Sequence, residues 1–188
     1  MISPAQGIPN LAYSPPASTQ ETRRGEVIRR TTRIPPLGPR GEGWVGIQTI
    51  VFVAVVVTGL VGARWLDNLR VPARVIAILC GVVGLWLLSS AVRTLGKSVS
   101  PFPKPPASSE LKESGVYALV RHPIYGGLLM LSTGWSLAFS PWGLIPTGAL
   151  AIVLAFKSRL EEQWLIERYP TYSGYQERVC RRFVPYLW

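Results

Sequence analysis

The stretch PIYGGLLMLSTGWSLAFSPWGLIPTGALAIVLAF, residues 123–156, runs for 34 residues without a charged side chain. A hydrocarbon layer of about 30 Å needs roughly 20 apolar residues per helix, with a lower limit near 17, so this run has the length of two crossings. Phe139-Ser140-Pro141-Trp142-Gly143 divides it. A proline there stops the first helix and suits the first turn of the next, where its missing N–H costs nothing. The reading is a tight helical hairpin with arms 123–139 and 141–156.

Two further uncharged runs lie upstream, 20 residues over 44–63 and 18 residues over 75–92, each fit for one crossing. The expected fold class is therefore an all-α integral membrane protein with about four transmembrane helices. Composition agrees: 48% of residues are hydrophobic and only 16% charged, and the mean hydropathy is +0.25. That balance leans away from a soluble globule.

Four crossings put both termini on one side, and the basic residues test this. Arg23, Arg24, Arg29, Arg30, Arg33 and Arg40 precede the first span. Arg93, Lys97, Lys104, Lys112 and Arg121 fill the central loop, and Lys157, Arg159, Arg168, Arg178, Arg181 and Arg182 follow the last span. Only Arg64, Arg70 and Arg74 fall on the other side. This asymmetry predicts a multi-pass protein of the cell inner membrane with both termini and the central loop cytoplasmic. The net charge of +10 then reads as topology plus attraction to anionic lipid headgroups. No nucleic-acid partner is implied, because the basic residues flank apolar spans and do not line one folded face.

Residues 1–43 read as a disordered basic cytoplasmic arm, rich in Pro, Ser, Thr and Arg with little apolar periodicity to bury. They do not read as a secretory signal, since the first apolar run begins at Trp44. Residues 44–188 form one membrane domain. Its last part, 157–188, mixes aromatics with arginines and is expected at the lipid interface. Cys80 and Cys180 fall in a span and in the tail, with no metal-site spacing, so no metal is expected.

Chemistry concentrates in three segments. GVYALVRHPIYGG, residues 115–127, carries the only histidine of the chain to a helix start, with Pro123 in the first turn. Tyr117 and Tyr125 there suit a membrane interface, and His122 suits a helix cap. Together with Arg121, however, these side chains converge on a helix N-terminus, where exposed N–H groups and the dipole favour an anionic ligand. Gly126 and Gly127 let a flat ligand or another helix approach closely. The second segment, LGKSVSPFPKPP over 95–106, is too rich in proline for a helix. It reads as extended or polyproline II chain, either a stiff connector or one wall of a groove, followed from Ser108 by a short helix or turn closed by Gly115.

The third segment, KSRLEEQWLIERYP over 157–170, leaves the last span. Lys157 and Glu161 can pair at i, i+4 as an ordinary solvated helix does. Glu161 and Glu162, by contrast, find Leu165 and Ile166 at their own i+4 positions. Carboxylates without such partners at a membrane edge are candidate site residues.

These pieces resemble the isoprenylcysteine carboxyl methyltransferase family, which is itself similar to the phospholipid N-methyltransferases. The resemblance rests on Leu95-Gly96-Lys97 with the Pro-rich loop, Gly115-Val116-Tyr117, Arg121-His122-Pro123-Ile124-Tyr125, Glu161-Glu162 with Leu165, Tyr172, Tyr175, and the closing Phe183-Val184-Pro185. It implies S-adenosylmethionine as methyl donor, in a cytoplasmic pocket formed by the last two helices and the C-terminal segment. It implies cofactor contacts from Tyr117, His122, Pro123, Ile124 and Tyr125, with Glu161, and Glu162 beside it, at the cofactor's ammonium. A basic residue shortly before the glutamate pair handles the acceptor in that family, and Lys157 and Arg159 both qualify. The expected acceptor is a hydrophobic or lipid-like molecule, with carboxylate O-methylation favoured. An amine or hydroxyl acceptor would need a base, for which His122 or Glu162 is the candidate. Two other readings stand beside this one: an NADPH-dependent reductase similar to the sterol reductases, and a non-catalytic lipid-binding membrane protein.

Overall fold

The computed structural model describes residues 34–106 and 109–185. Most of the basic arm read over residues 1–43, namely 1–33, lies outside the described residues, as do the last three residues of the chain. Four long helices carry the fold: α1 Glu42–Val61, α2 Asp67–Leu95, α3 Pro123–Phe139 and α4 Leu144–Arg168. A short helix α5, Tyr172–Arg178, follows. No strand occurs among the described residues. The chain is an all-α integral membrane protein.

Among the described residues, three helical stretches are long and apolar enough to cross a membrane: Glu42–Val61, Asp67–Ser98 and Pro141–Arg168, the last two including short 3₁₀ turns. Helix α3 falls short of them at 17 residues, about 25 Å at 1.5 Å per residue. Its surroundings explain how so short a helix sits in the bundle. It is the central helix, touched by α1, α2 and α4, and Tyr125, Gly126, Gly127, Leu129, Ser132, Gly134 and Ser136 are all buried. Much of its surface therefore meets protein, where α1 and α2 are largely exposed.

Small residues allow that central position. Ala77, Gly84 and Ala91 recur every seven residues along α2, and all three are buried. A Cβ on Gly127 would come within 2.9 Å of the Gly84 carbonyl, and one on Gly134 within 2.9 Å of the Ala77 carbonyl. The backbones of α2 and α3 thus approach too closely for larger side chains, the packing mode expected where apolar burial cannot drive helices together. On the α1 side, Trp135 fills the space left by Gly59 and donates its indole N–H to the Val56 carbonyl at 3.3 Å.

The hairpin turn follows the expected chemistry. Ser140 caps the end of α3 and Pro141 opens a 3₁₀ turn, Pro141–Gly143, that leads into α4. The Ser140 hydroxyl ties this turn to the Ala63 carbonyl at 2.7 Å. Helices α2 and α4 both outrun the uncharged segments of the sequence. Helix α2 starts at Asp67 and takes Arg70, Pro72 and Arg74 into its first turns, while α4 continues twelve residues past Phe156. A charge ends an apolar layer but not a helix.

The segment from 96 to 106 begins with a 3₁₀ turn, Gly96–Ser98, and then runs without regular structure. It is pinned to the start of α1, where Gly41 at φ +82° lies against Pro103; a side chain at position 41 would meet the proline ring at 2.8 Å. The short helix expected after Ser108 does not form among the described residues. Ser109–Glu113 is irregular, and Gly115, at φ +62°, opens a 3₁₀ helix, Gly115–Ala118, where a closing glycine was expected.

Candidate active site

All four long helices deliver side chains to one end of the bundle. Gln48 comes from the first half of α1, Leu88, Val92 and Leu95 from the end of α2, Tyr125 and Leu128 from the start of α3, and Lys157, Glu161 and Leu165 from the end of α4. The 96–106 segment, Tyr117 and the α5 residues Tyr172 and Tyr175 complete a cavity of about 380 Å³. That volume suits a cofactor or small-molecule site, for which about 300–1,000 Å³ is usual.

Helix periodicity sorts the α4 residues. Lys157, Glu161 and Leu165 are spaced i, i+4, i+8 and share the face that lines the cavity. Ser158 and Glu162 lie one position on and are buried. Arg159 stands two positions, about 200°, round from Lys157. It is exposed, with its guanidinium 5.9 Å from the Phe156 ring, and it does not reach the cavity.

The two glutamates therefore have different surroundings. Glu161 faces the cavity and accepts a 2.6 Å hydrogen bond from the Tyr125 hydroxyl on Oε2; His122 Nδ1 lies 3.7 Å from the same oxygen. Glu162 faces the protein with its side chain 5% exposed. Its Oε1 accepts from Arg121 Nε at 2.9 Å and His122 Nε2 at 3.0 Å, and its Oε2 accepts from Arg182 at 3.1 Å. An ionised carboxylate can only accept, so the His122 proton in this contact sits on Nε2. A carboxylate so held by three donors lacks the freedom of a base.

The same interactions fix the opening motif. The backbone N–H groups of Arg121 and His122 donate to the carbonyls of Arg181 and Arg182 at 3.0 and 2.7 Å. Arg121 also donates to the Val179 carbonyl at 2.7 Å, and the Tyr175 hydroxyl donates to the Tyr117 carbonyl at 2.6 Å. Phe183 is fully buried against Tyr125, Leu150 and Leu154. Gly126 permits this: a Cβ there would sit 1.8 Å from the Phe183 carbonyl oxygen. The C-terminal segment read as interfacial thus packs into the helices, and the two glycines admit protein, with Gly126 meeting the tail and Gly127 meeting α2.

Of the residues singled out from the sequence, Tyr117, His122, Ile124, Tyr125, Lys157 and Glu161 line one cavity, while Pro123 is buried behind it. His122 and Tyr125 stack in parallel with ring centroids 5.3 Å apart. Burial first, and neighbouring carboxylates second, push the Tyr117 and Tyr172 phenols above the ordinary tyrosine range, so both stay neutral donors. Lys157 does not pair with Glu161 as the helical spacing allows. Its ammonium donates instead to Gln48 Oε1 at 2.6 Å and lies 5.2 Å from the Tyr125 ring centroid. Gln48 is a site residue that sequence reasoning passed over, although it is the only amide between Trp44 and Ala63. A polar side chain inside an apolar span is the signal that points to it.

The profile of the phospholipid methyltransferase family matches residues 72–172, from the first turns of α2 into the start of α5. The chain belongs to this family. It is accordingly a membrane methyltransferase, and the reductase reading falls away. Every cavity residue contributed by α2, α3 and α4 falls within the matched range, whereas Gln48 and Tyr175 lie outside it. No curated protein matches the methyltransferase.

Proposed function

We propose that this methyltransferase uses S-adenosylmethionine to methylate the carboxylate of a hydrophobic acceptor, at a cavity facing the cytoplasm. The observation that carries the reading is a single cavity lined by a carboxylate, several tyrosines, a buried ammonium and an apolar wall. These groups suit S-adenosylmethionine: Glu161 Oε1 is placed to accept from its ammonium, and the tyrosine faces suit its positively charged sulfonium. When bound, that cofactor supplies an electrophilic methyl group on sulfur. Its methyl carbon would pass to the acceptor oxygen with the electron pair of the broken carbon–sulfur bond left on sulfur, so a carboxylate acceptor would need no base from the protein.

The protein's part is alignment and exclusion of water, which govern such an in-line displacement. Tyr125 orients Glu161, His122 and Phe183 brace Tyr125, and Glu162 holds His122 and the tail in place. Lys157 steers the anionic acceptor, in preference to Arg159, which stands outside the cavity. Leu88 and Val92 offer an apolar bed for the acceptor's hydrocarbon part. The cytoplasmic orientation is supported by twelve basic residues on the described segments at the cavity end, against three on the segment at the other. The family match favours a second acceptor, the amine of a phospholipid headgroup.

Incubation of the detergent-purified protein with methyl-labelled S-adenosylmethionine and a membrane lipid extract tests this directly. We expect label in a hydrophobic product that releases methanol in base, as an ester does. A base-stable labelled phospholipid would establish the amine acceptor instead, and absence of cofactor binding would overturn the reading.

A further inference from the structure

Lys157 and Gln48 meet across 109 positions of sequence, one on α4 and one on α1. The lysine is 2% exposed. Burying an ammonium costs free energy unless something replaces its water, and a carboxylate is the usual replacement. Here none is supplied: Lys157 takes part in no ion pair among the described residues. Its surroundings are an amide oxygen and the face of Tyr125. The amide dipole and the ring quadrupole stabilise the cation without cancelling its charge. Of the nearby carboxylates, Glu162 is taken by Arg121, His122 and Arg182, and Glu161, which faces the same cavity, accepts from Tyr125 and forms no ion pair with the lysine.

An ammonium has three donors, and one of Lys157's is taken by Gln48. Because Gln48 and Lys157 both line the cavity, a ligand group placed beside them meets an ammonium with which no described carboxylate is directly paired. An anionic group gains from that charge and a cationic one is repelled. A glutamate at position 48, nearly the same shape, would satisfy the lysine internally.

We propose that Gln48 is a specificity-determining residue: by holding Lys157 through a neutral oxygen, it leaves the ammonium without a directly paired carboxylate at that wall of the cavity and so selects a carboxylate-bearing acceptor over an amine. The inference rests on the methyltransferase reading above and deepens it.

The test uses the full chain in detergent with hexadecanoic acid and hexadecylamine as acceptor probes of matched length. Affinity for S-adenosylmethionine, thermal midpoint, and KM and kcat for each probe are measured for wild type, Gln48→Glu, Gln48→Leu and Lys157→Met. Wild type should prefer the acid. Gln48→Glu should raise KM for the acid about tenfold or more while changing cofactor affinity by less than about twofold, and should narrow or reverse the preference between the probes. Gln48→Leu, which leaves the lysine charge in place, should retain the preference. The double variant Gln48→Glu/Lys157→Met should be no worse toward the acid than Lys157→Met alone.

An unchanged acid-to-amine ratio in Gln48→Glu would overturn the proposal, as would wild type that methylates only the amine. Parallel loss of cofactor affinity in Gln48→Glu would also overturn it, assigning the lysine to the cofactor. Wild type that binds no S-adenosylmethionine defeats the underlying reading, which the binding measurement separates from the other outcomes.

Discussion

Glu161 and Glu162 are chemically identical and adjacent, yet the helix turns them about 100° apart and so gives them different work. Glu161 lines the cavity with one recorded hydrogen bond, and Glu162 is buried among two guanidiniums and an imidazole. Replacing Glu162 with Gln leaves the buried Arg121 guanidinium, and the half-buried one of Arg182, uncompensated. It should cost about 3–5 kcal/mol of stability, read from unfolding in a detergent titration. Glu161→Gln should leave unfolding nearly unchanged and weaken S-adenosylmethionine binding about tenfold or more, read by calorimetry. Equal effects of the two on stability would contradict the division. The sequence identified the pair but not this division, because the partners of Glu162 lie 41 and 20 residues away. Nor could it rank Lys157 against Arg159, since hydropathy beyond the last span does not say which face of α4 turns inward.

At the scale of elements, the glycines separate helix contacts from open surface. Gly126 abuts the backbone of Phe183, whereas a Cβ on Gly81 or Gly148 would meet nothing within 4 Å. Gly126→Ala must displace the C-terminal segment. We expect a loss of about 1–3 kcal/mol, faster trypsin cleavage at Arg181 and Arg182, and weaker cofactor binding. Gly81→Ala and Gly148→Ala, both within helices, should instead be neutral or add about 0.5–1 kcal/mol by restricting the unfolded chain. If Gly126→Ala behaved like these two, the docking of the tail described above would be wrong. The ends of α3 were legible, 123–139 in both sequence and structure, because proline chemistry marks a backbone boundary. The ends of α2 and α4 were not, because charge marks the edge of the lipid layer and the backbone hydrogen bonds continue past it.

At the scale of the molecule, the basic residues predict that the cavity end faces the cytoplasm, and the two cysteines provide the reporters. Cys180 is exposed beside α5 and Cys80 lies within α2. A membrane-impermeant maleimide should label Cys180 in inverted inner-membrane vesicles and not in intact spheroplasts, with Cys80 unlabelled in both. Labelling of Cys180 from outside the cell would reverse the topology. The sequence by itself determined the membrane character, the order and approximate position of the helices, and the segments that carry the chemistry. Each of these depends on how a local stretch of chain meets lipid, water or proline geometry. Only the tertiary structure decided that α3 is the central helix, that the tail packs into the bundle, and that Gln48 from α1 reaches Lys157 on α4. Those outcomes depend on which faces meet across long separations, and a hydropathy pattern read along the chain carries no record of that pairing.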